Sequence, residues 1–240
     1  MAEARVFVLV HGAWHGGWCW RHTAAMLRAA GHRVFTPTQT GLGERRHLMN
    51  KAITIDLFVS DIAEVLVAEE LHDVVLVGHS FGGLAISGVA DRMPERLRHL
   101  IYLDALVVEG GSSAFDRLPP DVVAGRLQAA QDSSGGLSLP VPPPEAFGVT
   151  GEPESAWLRR RCTPHPLGSY TTPLTLKHPL GNGVPCSYVA CTTPVYPALD
   201  DVKAWLRDKP GWTWRTLAAS HDAMVTAPAA LAGLLIEIAG

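Results

Sequence analysis

Six short apolar runs, each bounded by turn residues, constrain this 240-residue chain more than any other feature. They read "RVFVLVHG", "HRVFTPT", "DVVLVGHS", "LRHLIYLDA", "CSYVACTT" and "WTWRTLAASH". Several are apolar throughout rather than alternating, which predicts strands buried on both faces. Most of the intervening segments space their apolar residues for a helix. In "WCWRHTAAMLRAAG", for example, Trp20, Ala24, Leu27 and Ala30 fall on or near one face and Gly31 ends the run. Strands alternating with helices predict an α/β protein with a mostly parallel central sheet and helices on both faces. The length suits one large domain over residues 1–240. The alternation breaks at about 107–180, where "EGGSSAF", "DSSGGLS" and "LPVPPPEAFG" interrupt it and only parts, such as "PPDVVAGRLQAAQ", keep helical spacing. An insertion of that size above a sheet is expected to cap a pocket, the alternative for its Pro-rich part being a surface loop.

Charge excludes several classes of function. Twenty basic and 23 acidic residues are interspersed and sum to −3, so neither a nucleic-acid footprint nor a polybasic membrane tether is present. The start, "MAEARVFVLVHG", lacks the form of a secretory signal, and a cytoplasmic location is expected. "AALAGLLIEIAG" is too short for a membrane span, follows Pro228 and carries Glu237, which predicts a packed terminal helix. Cys19, Cys162, Cys186 and Cys191 form no C-x-x-C pair and no zinc spacing; they are expected to be free, mostly buried thiols, with no metal site.

Chemistry concentrates in "VVLVGHSFGGLAISGVA". "GHSFG" at 78–82 fits G-x-S-x-G between a strand and a helix, where Ser80 would sit on a strained turn as a nucleophile. Gly78, Gly82 and Gly83 remove the side chains that would clash there. The alternative, a turn serine capping the helix, needs only one glycine. A serine hydroxyl requires a base and an orienting acid. Of eleven histidines, His221 in "TWRTLAASHDAMVTAP" lies after the last strand, where this motif class places its base. His72, His99, His165 and His178 are expected to be structural, and His79, beside the nucleophile, to line the pocket. After the first strand, "LVHGAWHGGW" can bring backbone N–H groups to the sheet mouth, which makes the Ala13 and Phe81 amides the expected oxyanion hole.

Three stretches, "HGAWHGGWCW", "GHSFGG" and "SHDAMVTAP", resemble the plant hydroxynitrile lyase and methyl esterase group of the α/β-hydrolase superfamily, with its salicylate-binding esterases and bacterial relatives. "TPTQTGLGERRHL" is similar to the segment after the third strand in those bacterial relatives. The resemblance implies an α/β-hydrolase fold and covers nearly the whole chain, loosely in the cap. It also implies differences between esterases and lyases. Lyases of the group carry a threonine after the first strand's histidine and a lysine after the catalytic histidine, and here those places hold Gly12 and Asp222. Relatives place the acid in a "C-T-x-D" turn, where this chain has Pro194. Asp104, closing the strand after the nucleophile helix, is the preferred acid. Asp200 or Asp201, which should open a helix, or no acid at all, are the alternatives.

The expected activity is cofactor-independent hydrolysis of a carboxylic ester through an acyl-enzyme. Ser80 would attack, His221 act as base, Asp104 orient it, and Trp14, His79 and Trp157 wall an apolar pocket. Without a charged pair in the motif regions, the acyl group is expected to be neutral or aromatic, as in a small methyl ester, a natural-product ester or a lactone. Expected partners are the small-molecule substrate and, at most, a second copy of the chain, with neither nucleic acid nor membrane. The rival readings are a carbon–carbon lyase or decarboxylase on the same scaffold, which an absent acid would favour, and a small-molecule binder that has lost turnover.

Overall fold

The computed structural model describes residues 3–240. Six parallel strands form the central sheet in the order β2 (Arg33–Phe35), β1 (Val6–Val10), β3 (Val74–His79), β4 (Leu97–Leu103), β7 (Cys186–Cys191), β8 (Trp212–Leu217). All six predicted runs are strands of this sheet. The most apolar ones lie inside it: every residue of β3 and of β7 is buried, while β8 at the edge alternates towards solvent. This is the contrast expected between strands covered on both faces and an edge strand with one face towards solvent.

Helices cover both faces. On one, α1 (Arg21–Ala29) packs on α9 (Pro228–Ala239), and on the other α2 (Ile55–Ala68) packs on α3 (Gly82–Arg92). Trp20, Ala24 and Leu27 are buried as their spacing implies, but Ala30 is exposed, because α1 has ended and the chain turns out through Gly31 at φ 92°. The "AALAGLLIEIAG" segment is α9, with Leu231, Ala232 and Leu235 buried; among the described residues no helix is long and apolar enough to cross a membrane.

From β1 the chain first goes outward to β2 and then returns to place β3 on the other side of β1. That reversal opens a crevice beyond the carboxyl ends of β1 and β3, the place where open α/β sheets hold ligands. The 107–180 segment lies between β4 and β7. It contains α4 (Pro120–Ser134), α5 (Glu154–Arg161), α6 (Leu167–Thr171) and a two-stranded ribbon of β5 (Ser138–Leu139) with β6 (His165–Pro166), a pairing too short for sequence periodicity to announce. Its Phe147, Leu158 and Tyr170 join the same buried cluster as the sheet, so the insertion packs down onto the crevice. Two further helices complete the chain, α7 (Asp200–Arg207) between β7 and β8, and the single turn α8 (Ala223–Thr226) after β8.

Candidate active site

Ser80 stands at the tip of β3 with φ 51°, in the left-handed region that a residue with a side chain enters only at a cost. The turn is held by the Ser80 amide donating to Leu103 O at 3.1 Å, and by Ser80 O accepting from Gly83 N at 3.1 Å and Leu106 N at 2.9 Å. Its glycines are sterically required. A Cβ on Gly83 would lie 2.3 Å from Leu106 O, and one on Gly82 2.8 Å from His11 O.

His221 comes from the loop after β8, 141 residues along the chain, and the Ser80 hydroxyl reaches its Nε2 at 3.0 Å. Behind it, Nδ1 donates to Asp104 Oδ2 at 2.7 Å, which fixes the tautomer and leaves Nε2 free to accept a proton. Asp104 is fully buried at the end of β4. Its other oxygen accepts from the Lys203 ammonium at 2.9 Å and from the Cys191 amide at 3.1 Å. Burial opposes charge on Asp104. The His221 hydrogen bond and the Lys203 ammonium outweigh that and hold its pKa below the usual carboxylate value. Asp200 and Asp201 are exposed in the first turn of α7 and do not bond His221; what α7 sends inward is Lys203. Pro194 is exposed.

Across the crevice the loop after β1 carries Ala13. Among the described residues neither the Ala13 nor the Phe81 amide donates to another protein group, and both belong to turns beside Ser80. Gly12 is held to hydrogen by its neighbours: a Cβ there would sit 2.8 Å from Ser80 Cβ and 2.9 Å from His79 Nδ1, so the threonine of the lyase pattern has no room here.

A second buried ion pair lies beneath. His15 Nδ1 meets Ala13 O at 2.8 Å and its Nε2 meets Asp222 Oδ2 at 3.1 Å. Both partners are acceptors, so both ring nitrogens carry hydrogen and His15 is an imidazolium. Burial alone would neutralise it, but the Asp222 carboxylate raises its pKa well above the ordinary histidine value. In the same way burial opposes charge on Asp222, and the charge and hydrogen bond of His15 pull its pKa below normal. The pair thus joins the loop that carries the Ala13 amide to the residue following His221. His79 and His165 are neutral, burial being the largest cause that lowers the pKa of each. His79 gives its Nε2–H to His221 O at 2.9 Å, and burial followed by the nearby His221 lowers its pKa to about 3. His165 accepts from the Trp14 amide and donates to Ser169 Oγ, whose own proton goes to Pro166 O. His79, His221 and Asp222 have ligand atoms within 4.8 Å of one another, but this proximity is already used by the bonds just described.

A cavity of about 30 Å³ opens at Ser80, walled by Phe81, Leu106, Leu118, Tyr170 and Tyr196 and roofed by Arg126 of α4. Tyr196 stacks on His221 with ring centroids 4.0 Å apart. Arg126 and Tyr196 also border a second cavity of about 170 Å³, against Trp14 and Phe147. Trp14, expected as a wall, lines this second compartment. Two other expected walls require correction. His79 is buried behind His221 against His15 and Trp20, because β3 alternates its side chains and the position before Ser80 faces away from the cavity. Trp157 of α5 packs edge-on against Trp18 and His22 beside α1, on a different surface hollow. Lys203, Arg126 and Tyr196 lie in none of the motif stretches, and although His15 and Asp222 fall within "HGAWHGGWCW" and "SHDAMVTAP", nothing in those stretches announces that the two pair.

The chain matches the α/β hydrolase family over residues 7–234 and belongs to it. It is 45% identical to the carbendazim hydrolyzing esterase of Nocardioides sp. (strain SG-4G), over 97% of this chain and 98% of that protein. Methylesterase 10 of Arabidopsis thaliana is 28% identical over 97% and 91% of the two chains. Among solved structures, an extracellular α/β-hydrolase from a Paenibacillus species, described as sharing structural and functional homology with tobacco salicylic acid binding protein 2, gives a TM-score of 0.84. It is 25% identical and covers 97% of this chain and 98% of its own. These relationships set the chain in the methylesterase and hydroxynitrile lyase group and support an ester-hydrolysing enzyme.

Proposed function

We propose that the protein is a serine carboxylic-ester hydrolase that works through an acyl-enzyme. The observation that carries this reading is the unbroken chain Ser80 Oγ, His221 Nε2, His221 Nδ1, Asp104 Oδ2, with contacts of 3.0 and 2.7 Å, on a left-handed turn at the mouth of the sheet. Ser80 Oγ attacks the ester carbonyl as its proton passes to His221 Nε2. Asp104 stabilises the imidazolium without taking the proton, and the Ala13 and Phe81 amides hold the oxyanion. Collapse breaks the bond to the alcohol, which leaves with the proton from Nε2. His221 then takes a proton from water, the resulting hydroxide attacks the acyl carbon, and Nε2–H returns its proton to Ser80 as the acid departs. Ser80 and His221 between them carry every proton of this sequence that does not belong to substrate or water.

The narrow cavity at Ser80 suits a small group, and the Trp14–Phe147 compartment suits a flat ring. Similarity to the carbendazim hydrolyzing esterase adds carbendazim, a methyl carbamate borne on an aromatic bicycle, as a substrate worth testing with methyl and p-nitrophenyl esters. The case for a lyase or decarboxylase draws on an absent acid, and a carboxylate 2.7 Å from His221 removes that ground. Stopped-flow hydrolysis of p-nitrophenyl acetate and butyrate tests the proposal. We expect a burst and turnover that Ser80→Ala abolishes; no turnover by the wild type, indistinguishable from the variant, would overturn it.

A further inference from the structure

The geometry points to an anion subsite at Arg126, and we infer that the preferred esters carry a carboxylate or similar anion away from the scissile bond. This inference rests on the serine-hydrolase reading and narrows its substrate class. Among the residues lining the Ser80 cavity and the adjoining compartment, Arg126 alone carries a charge; its surroundings include Leu118, Pro140, Phe147, Trp14, Tyr170 and Tyr196. The other charges near the site cancel in pairs, Asp104 with Lys203 and Asp222 with His15. Arg126 has no such partner: among the described residues no carboxylate pairs with it, and its polar neighbour is the neutral Tyr170 hydroxyl.

The simpler account is that Arg126 is held by stacking alone. Its guanidinium carbon does lie 5.6 Å from the Tyr170 ring centroid and 6.0 Å from that of Trp14. Stacking uses the faces of a guanidinium, however, and the Tyr170 hydroxyl engages only part of its in-plane N–H donors, which leaves others for an anionic acceptor. The side chain is half-buried, so water supplies only part of what that fork needs. Its position is also selective. Arg126 and Tyr196 border both cavities, so a substrate with its carbonyl at Ser80 and its remainder in the Trp14 compartment must pass the guanidinium. The neutral acyl group expected from the motif regions takes no account of this charge, which arrives from α4 in the insertion.

Two matched pairs of esters test the inference, one for each side of the scissile bond. Mono-p-nitrophenyl glutarate is compared with p-nitrophenyl pentanoate, and 4-acetoxybenzoate with p-tolyl acetate. Taking the anionic-to-neutral ratio of kcat/KM in wild type over that in Arg126→Met cancels intrinsic reactivity. We expect this double ratio to be about tenfold or more for at least one pair, partly restored by Arg126→Lys and reduced in high salt. A double ratio near one for both pairs, with all four esters still hydrolysed, overturns the anion subsite and leaves the hydrolase reading intact. Failure to hydrolyse any of them, with no loss on Ser80→Ala, overturns the hydrolase reading and this inference with it.

Discussion

Replacing Asp104 by asparagine reverses the hydrogen bond that orients His221. The new side-chain amide would keep its carbonyl oxygen on the Lys203 ammonium and the Cys191 amide, both donors that now reach Asp104 Oδ1 at 2.9 and 3.1 Å. Its NH2 would then face His221 Nδ1, which at present donates across 2.7 Å. Two donors cannot share that contact, so His221 would shift its hydrogen to Nε2 and lose the lone pair that accepts from Ser80. Loss of the correct tautomer costs on the order of 10⁴ in turnover in serine proteases, which at about 1.4 kcal/mol per tenfold is about 5 kcal/mol of transition-state stabilisation. The substitution also leaves Lys203, whose side chain is 10% exposed, without its counter-charge, and breaking a buried pair costs up to about 3–5 kcal/mol of stability. The double variant Asp104→Asn/Lys203→Met separates the two effects. Its melting temperature should recover towards wild type while its kcat on p-nitrophenyl butyrate stays about 10⁴ down. Wild-type turnover by Asp104→Asn between about pH 6 and 9, with an unchanged melting temperature, would refute the reasoning.

Three further outcomes follow from other parts of the structure. Gly83→Ala places a Cβ 2.3 Å from Leu106 O and 2.9 Å from Ala105 Cβ, and the overpacking should cost about 1–3 kcal/mol, read as a lower melting temperature and reduced labelling of Ser80. The His15–Asp222 pair gives stability two pH limits. The raised pKa of His15 means its contribution is complete below the ordinary histidine value and declines as pH rises towards the folded one. The depressed pKa values of Asp222 and Asp104 mean theirs is present above the ordinary carboxylate value and is lost as pH falls through the folded ones. Thermal melts across pH should therefore show an alkaline decline that His15→Gln flattens; an identical alkaline limb in that variant would contradict a charged His15. Trp157→Ala, far from the Ser80 cavity, should change kcat/KM on p-nitrophenyl butyrate by less than about twofold, whereas a pocket wall would show a larger loss in a steady-state assay.

The legible parts of this molecule are those whose cause is local. Unbroken apolar runs have to be buried on both faces, so the six strands of the sheet follow from them directly. The glycines around Ser80 announce a turn, and the position of His221 after the last strand brings it to the same end of the sheet, because in a parallel sheet every strand tip after which a loop begins lies on one edge. Asp104 shares that reason, being at the end of β4, next to β3. What the sequence conceals is which long side chains arrive from elements placed by tertiary packing. Lys203 sits three residues from Asp200 in an acidic helix start, and nothing in "DDVKAWLR" tells that the lysine turns inwards while the aspartates face water. Arg126 lies on a helix with a single buried residue, Ala130, so its periodicity carries almost no signal of the face that meets the site. His79 departs from its expected place for a reason that strand alternation does contain: neighbours on β3 point to opposite faces, and the residue before Ser80 turns its ring away from the cavity. Trp157 has no such clue, since the direction of α5 depends on how the insertion folds back over α1.

The central claim is that Ser80 is a nucleophile activated by His221. Incubation with a p-nitrophenyl phosphonate ester, followed by intact mass and peptide mapping, tests it most directly. The account predicts a single phosphonyl adduct on Ser80, absent from Ser80→Ala and formed far more slowly in His221→Ala. No adduct on the folded wild-type protein, or equal labelling of Ser80→Ala at another residue, would contradict it.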